Sequence, residues 1–331
     1  IQMLAAGIVG VGWWGQNLVN ASGAAKNIEI IAGAVRNPDK VAEYADEKGM
    51  TLHTGLEAML NEADLDAVVL ATPHSLHVEQ MLLAIEAGKH VLSEKPFTMS
   101  KADAERVLDA ADAAGVTAVV GHNRRFVPSM AELRKKIADG SFGTLLHVEM
   151  TETGPAAIVM PQDSWRFQRS EWPAGGMTPM GVHLIDNMVD LFGTVESVNA
   201  QAVRRAAEAD IDDTTSVLLK FSSGMTGYLA VMVTARPDFH AAIYGRDATA
   251  RMIGRMYDSF EFAPREGGEP EQFNYDFGRD TDALTAELDA FGAAAMGQEA
   301  YPVSRDEIIH VVAVLEAIIK SAASGVEEKI G

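Results

Sequence analysis

The sequence predicts an α/β chain in two parts. A doubly wound parallel sheet forms the first third, and an α+β unit with a large, mostly antiparallel open sheet forms the rest. Three observations carry this. A glycine-rich turn, Gly7-Ile8-Val9-Gly10-Val11-Gly12-Trp13-Trp14-Gly15, joins an apolar run to a segment of helical periodicity. Strands and helices then alternate to about residue 122, the rhythm of βαβ units. Beyond that point, strands with alternating or continuous apolar patterning dominate.

The elements follow in order. In the G-x-G-x-x-G pattern of Gly10, Gly12 and Gly15, the first glycine permits a tight turn and the second lets backbone approach a pyrophosphate. The third lets helix and strand pack closely. The helix from about Trp13 to Ser22 would aim unpaired N–H groups and its positive dipole end at phosphates. A glycine turn alone is weak evidence, and a bare structural turn is the alternative; its place between strand and helix favours a dinucleotide site.

Ile28 to Val35 is the second strand, Pro38 opens a short helix, and Gly55 to Asn61 forms another. The run Ala67-Val68-Val69-Leu70-Ala71 has the continuous apolar character of a parallel strand covered on both faces. Ser75 starts a helix with Val78, Met81, Leu82 and Ile85 on one face, which Gly88 ends. Val91 to Ser93 is a strand, and Ser100 with Asp103 caps a helix that runs through Ala114 to Gly115. Val116 to Gly121 is the sixth strand and completes a Rossmann-type dinucleotide fold by about residue 122.

The second part opens with a helix from about Ser129 to Ala138 and a strand near Leu145 to Thr153. An irregular stretch to Gly176 precedes a helix from about Gly181 to Leu191. Val195 to Arg204, Thr214 to Phe221 and Met225 to Val233 read as strands, with Ser222-Ser223-Gly224 as a hairpin turn. Short strands near Ala241 to Tyr244 and Ala250 to Ile253 flank the turn Gly245-Arg246-Asp247, and Arg265 to Gln272 reads as a polar loop. Thr281 to Ala295 and Ser304 to Ala322 read as amphipathic helices. Two domains place the default ligand site in the cleft between them.

Bulk properties agree with this division, since 331 residues suit two domains. A net charge of −20 argues against a nucleic-acid or anionic-membrane partner. No apolar run approaches the ~18 residues of a membrane span, and no secretory apolar region precedes the first strand. The chain begins at Ile1, so a short natural N-terminus is expected to have been trimmed. Without cysteine, these residues can form neither disulfides nor thiolate zinc sites, and a cytoplasmic location is the expectation.

Three further motifs stand in a fixed order. Ala71-Thr72-Pro73-His74-Ser75-Leu76-His77 comes first, then Ala87-Gly88-Lys89-His90-Val91, then Glu94-Lys95-Pro96; later, Gly175-Gly176 precedes Gly181-Val182-His183-Leu184-Ile185-Asp186. Together with the glycine turn, and over nearly the whole chain, they resemble the glucose-fructose oxidoreductase, inositol dehydrogenase and rhizopine-catabolism family (Gfo/Idh/MocA). The resemblance implies an NAD(P)-dependent oxidoreductase acting on CH–OH groups of a sugar, cyclitol or related polyhydroxy compound. Residues 1–122 would be the dinucleotide-binding domain and 123–331 a substrate-binding and oligomerisation domain. The open sheet would then join a homodimer or homotetramer.

The resemblance gives Lys95 a catalytic role, with Glu94 and Pro96 supporting it. A lysine beside a proline at the C-terminal edge of a parallel sheet lies where ligands bind in doubly wound folds. Its ammonium can polarise or protonate an oxygen; the plainer alternative is a surface lysine in a turn. The family also places an aspartate four residues before a histidine in the second domain. Here the histidine is His183 and the aspartate position is Pro179, which leaves the acid–base scheme open. An imidazole ordinarily titrates near neutral pH, so His183 is the expected base and Lys95 the group that holds the oxygen. The alternative is that His183 only binds substrate or packs.

Gly10, Gly12, Trp13, Trp14 and Gly15 are the expected phosphate side of the cofactor site. Thr72, Pro73, His77, Glu94, Lys95 and Asn123 are the other expected cofactor contacts. The second strand ends in Gly33-Ala34-Val35-Arg36-Asn37 with no acid to bind a ribose 2′-hydroxyl, and Arg36 can pair with a 2′-phosphate. This predicts NADP(H), with NAD(H) as the alternative. Lys95, Arg124, Trp165, Arg166 and His183 are expected to meet substrate, since cations there suit a carboxylate or a polyhydroxylated ligand. The alternative is that Arg124, Arg125 and Arg166 pair with the chain's carboxylates. His74 and His77 lack a third partner at metal-ligand spacing, so no metal is expected. Asp186 is expected to orient His183 or to serve packing. Two other readings remain at this stage: a non-catalytic NAD(P)-binding sensor or regulatory protein, and an enzyme that reuses bound cofactor for net isomerisation or elimination.

Overall fold

The computed structural model describes residues 3–161, 164–254, 257–275 and 280–331. The chain forms two compact units, Ile1–Asn123 with Arg279–Ile309, and Arg124–Gly278 with His310–Gly331.

The first unit contains β1 (Leu4–Val9), α1 (Trp13–Ser22), β2 (Ile28–Val35), α2 (Ala42–Lys48), β3 (Thr51–Thr54), α3 (Leu56–Glu62), β4 (Ala67–Leu70), α4 (His77–Glu86), β5 (His90–Glu94), α5 (Lys101–Ala114) and β6 (Ala118–Gly121). Its strands pair in parallel in the order β3-β2-β1-β4-β5-β6, the doubly wound order whose direction reverses beside β1. Every residue of β4 is buried, as its unbroken apolar run requires. Ser100 caps α5 by accepting the Asp103 N–H at 3.2 Å. The strand that the sequence reading counts without locating is β3; it is four residues long, and only His53 in it is buried.

The second unit contains α6 (Pro128–Ala138), β7 (Leu145–Thr153), α7 (Ala156–Val159), α8 (Gly181–Phe192), β8 (Val195–Val203), β9 (Thr214–Phe221), β10 (Thr226–Met232), β11 (Asp238–Gly245), β12 (Ala248–Ile253), β13 (Ser259–Pro264) and β14 (Glu271–Asn274). After these come α9 (Asp280–Ala295), α10 (Arg305–Ser324) and β15 (Glu328–Lys329). Among the described residues the sheet runs β14-β13-β12-β11-β7-β10-β9-β8-β15 and is antiparallel except where β7 lies parallel to β10. One face is packed: Val217, Leu219 and Phe221 of β9 are buried with Leu184 and Met188 of α8 and Val314 and Leu315 of α10. The other face is open, and Leu218 is exposed between those buried neighbours. Part of the stretch read as a polar loop is strand, because β14 begins at Glu271; this edge strand exposes Glu271 and Gln272 and shows no apolar alternation.

One segment departs from a contiguous division at residue 122. The helix α9 belongs to the first unit, where Leu284, Leu288 and Phe291 are buried against Leu18 and Ile28. Its Asp289 also accepts the backbone N–H groups of Lys26 and Asn27 at 2.6 and 2.9 Å. Among the described residues, no helix is long and apolar enough to cross a membrane.

Candidate functional site

The glycine turn connects β1 to α1, and its three glycines answer to different constraints. Gly10 has φ +96°, and a methyl there would lie 2.6 Å from the Ala71 carbonyl oxygen. A methyl at Gly15 would lie 2.0 Å from the Gly10 carbonyl oxygen, so helix and turn touch with no room for a side chain. Gly12 has an ordinary φ of −80°, and a methyl there would meet nothing within 4 Å. Nothing in the protein itself requires a glycine at this position. The space lies at the start of α1, whose first turn has no side-chain cap and whose leading N–H groups lack helical partners. That arrangement fits a pyrophosphate.

The two tryptophans after Gly12 point to different surroundings. Trp13 is 71% exposed, whereas the Trp14 indole N–H donates to Glu94 Oε1 at 2.5 Å. Glu94 Oε2 accepts the backbone N–H of Lys95 at 3.2 Å. Burial holds the Glu94 carboxyl above the usual carboxylate range, while the Lys95 charge and these two hydrogen bonds pull it down. Lys95 is half-buried at the end of β5, and its peptide bond to Pro96 is cis.

Other expected cofactor residues occupy neighbouring strand ends. The Thr72 hydroxyl donates to Gln80 Oε1 at 2.6 Å, and Pro73 precedes the short 3-10 turn His74–Leu76. Arg36 is exposed after β2 and forms no ion pair among the described residues; Asn123 is buried after β6. His77 is engaged by the protein's own backbone. It is fully buried, its Nδ1 lies 3.0 Å from the Pro96 carbonyl oxygen and its Nε2 lies 3.1 Å from that of Thr72. Its ring therefore ties two loops together and offers no nitrogen to a cofactor. Among the described residues, no group of three or more His, Cys, Asp or Glu is placed to hold a metal ion.

In the second unit, His183 sits in the first turn of α8, 7% exposed. The segment before it is closely packed: methyls at Gly175, Gly176 and Gly181 would meet Asp212 O at 1.9 Å, Val233 Cγ1 at 2.5 Å and Met177 Sδ at 2.2 Å. Pro179 lies in this segment, half-buried. Asp186 binds Arg125, whose Nε lies 3.0 Å from both carboxylate oxygens and whose Nη2 lies 2.7 Å from Oδ1. Asp190 adds a 3.6 Å contact to Arg125 and joins Arg134 at 2.8 Å.

Arg124 is committed as well. Its guanidinium grips both Glu152 oxygens at 2.6 Å and donates to the Tyr257 hydroxyl at 3.2 Å. Burial works against its charge, but Glu152 outweighs burial and holds Arg124 above its ordinary pKa. The Tyr257 hydroxyl donates to Asn187 Oδ1 at 2.7 Å, and burial pushes that phenol up to about 12. Three of the Arg124 donations thus go to a carboxylate and a phenol of the protein itself. Arg166 differs: it stacks over Trp165 at 4.4 Å, burial lowers its pKa, and it forms no ion pair among the described residues. No spacing rule could have found Glu152, Tyr257 and Asn187, which lie on three separate segments.

The fold and its glycine turn define a protein of the dinucleotide-binding class. A family model described as "Oxidoreductase family, NAD-binding Rossmann fold" matches residues 4–122, and the GFO/IDH/MocA C-terminal domain matches 130–251. The chain belongs to the Gfo/Idh/MocA family of oxidoreductases, and its cofactor is a nicotinamide dinucleotide. Scyllo-inositol 2-dehydrogenase (NADP(+)) IolW of Bacillus subtilis (strain 168) is 26% identical over 291 residues, 81% of this chain and 79% of the relative. The 1,5-anhydro-D-fructose reductase of Ensifer adhaerens is 29% identical over 218 residues, 64% of this chain and 63% of the relative, so that match spans under two thirds of its length. Among solved structures, WlbA dehydrogenase from Bordetella pertussis in complex with NADH and UDP-GlcNAcA superposes with a TM-score of 0.85 at 26% identity, covering 100% of this chain and 98% of that one.

Proposed function

We propose that the chain transfers a hydride between NADP(H) and a secondary alcohol or ketone of a sugar, cyclitol or related polyhydroxy compound. The observation that carries this is the intact Glu94-Lys95-Pro96 segment at the C-terminal end of a parallel strand, in a unit whose Gly12 leaves space at the start of α1. The substrate class follows from relatives named for scyllo-inositol and 1,5-anhydro-D-fructose. When bound, the nicotinamide supplies the hydride acceptor or donor. The protein's residues handle the oxygen and its proton. In alcohol oxidation the Lys95 ammonium holds and polarises the oxygen, and His183 accepts the hydroxyl proton. Arg166 offers guanidinium donors to hydroxyl or carboxylate oxygens of the substrate. Arg36 meets a 2′-phosphate, and the open face of the large sheet joins copies into a homodimer or homotetramer.

Pro179 supports a second reading, a non-catalytic NAD(P)-binding sensor, because it stands where the family's proton-handling aspartate would. A screen of sugars, sugar acids, inositols and cyclic diols that follows nicotinamide absorbance tests both readings. With the substrate it finds, Lys95→Ala should lower kcat by about 10² to 10⁴, the range of general acid–base groups, with little change in cofactor affinity. Retained kcat would end the catalytic assignment and favour the sensor. His183→Asn should remove the acid-side fall of alcohol oxidation; if the fall persists at full rate, the base is another group.

A further inference from the structure

The segment that carries Lys95 is gripped on both sides. On one side the Glu94 carboxyl is buried, with the Trp14 indole N–H on Oε1 at 2.5 Å and the Lys95 peptide N–H on Oε2 at 3.2 Å. On the other, the Pro96 carbonyl faces His77 Nδ1 at 3.0 Å. N–H donors on a carboxylate are the stronger kind of hydrogen bond, and in a desolvated site their loss is felt in full. Trp14 is also where α1 reaches β5, and the neighbouring Trp13, 71% exposed, cannot substitute for it. We propose that Trp14 is a positioning residue: by holding Glu94, its indole N–H fixes the peptide of Lys95 and so sets where the ammonium stands. The importance of that placement rests on the reading of Lys95 as the group that polarises the reacting oxygen, because small misplacements of such a group lower rates steeply.

The test needs no substrate. Competitive acetylation of the whole protein with trace acetic anhydride, read by mass spectrometry, reports the reactivity of each lysine. Trp14→Phe keeps an aromatic ring and removes the N–H donor together with the five-membered ring that bears it. In this variant the Lys95 rate should rise by about threefold or more, the scale of one lost hydrogen bond, while Lys89 and Lys101 react as before. Unchanged Lys95 reactivity, or an equal rise at all three lysines, overturns the proposal, since a merely structural role would loosen the unit generally. If Trp14→Phe does not fold, Trp14→Met removes the same donor while leaving the Glu94 charge in place. It must show the same selective rise, and an unchanged or general response again overturns the proposal. Failure of the Lys95 reading registers separately, as retained kcat in Lys95→Ala.

Discussion

Replacing each glycine of the turn by alanine separates what the fold needs from what a ligand needs. At Gly15 the added methyl would sit 2.0 Å from the Gly10 carbonyl oxygen, so backbone must move, at a cost of about 1–3 kcal/mol or more. At Gly10 a φ of +96° adds strain of about 1–3 kcal/mol to a 2.6 Å contact with Ala71 O. At Gly12 the backbone suits alanine and the methyl meets nothing within 4 Å, so the cost is limited to exchanging an N-cap glycine for alanine, about 1 kcal/mol or less. If a pyrophosphate packs on that backbone, the same methyl overpacks the bound state by about 1–3 kcal/mol, which weakens binding about 5- to 150-fold. Urea unfolding and NADPH titration by calorimetry read the two quantities separately. Gly12→Ala should bind poorly and lose little stability, while Gly10→Ala and Gly15→Ala should lose more. Unaltered NADPH affinity in Gly12→Ala would refute the placement of the phosphates, and unaltered stability in Gly15→Ala would refute the packing argument.

Three other outcomes follow from the structure. Arg36→Ala should weaken NADPH binding by about 10- to 100-fold, the worth of one charge-assisted contact, and leave NADH binding unchanged; comparable losses for both would remove the 2′-phosphate assignment. Tyr257 is pushed up to about 12 in the folded chain from an ordinary phenol value of about 10. Its contribution to stability is therefore complete below pH 10 and is lost as pH rises through 12, about 2–3 kcal/mol in all. Tyr257→Phe should lack that alkaline loss in unfolding curves taken across the window. Asp186→Asn leaves Arg125 charged and buried, with the Asp190 carboxylate 3.6 Å away. Its cost should fall at the lower end of roughly 3–5 kcal/mol, and a urea-midpoint change equivalent to less than about 1 kcal/mol would contradict the burial argument.

The doubly wound sheet was legible because its central strands are continuous apolar runs and two of its turn glycines, Gly10 and Gly15, answer to steric limits that hold for any such turn. The edges were not. With only His53 buried in β3 and with Glu271 and Gln272 exposed in β14, neither strand carries a periodic signal. The membership of α9 could not be read either: its apolar face says that it packs, while its partners Leu18 and Ile28 lie some 260 residues earlier in the chain. For the candidate site, motifs mark strand ends and a helix start but not the direction of each side chain. His77 and Arg124 were read as ligand contacts, yet their polar atoms face carbonyls, a carboxylate and a phenol, and sequence spacing holds no information about which way a ring or guanidinium turns.

The placement of α9 has a consequence for biosynthesis. On the ribosome the first 123 residues emerge with every strand of their parallel sheet, but the helix that covers Leu18 and Ile28, Asp280–Ala295, follows only after more than 150 further residues. Until then that apolar surface has no native cover, the condition under which nascent chains engage chaperones or associate with one another. A fragment ended after residue 123 would keep the whole nucleotide-binding sheet and still expose this face, so a soluble nucleotide-binding module should require residues 280–295 to be fused back onto it.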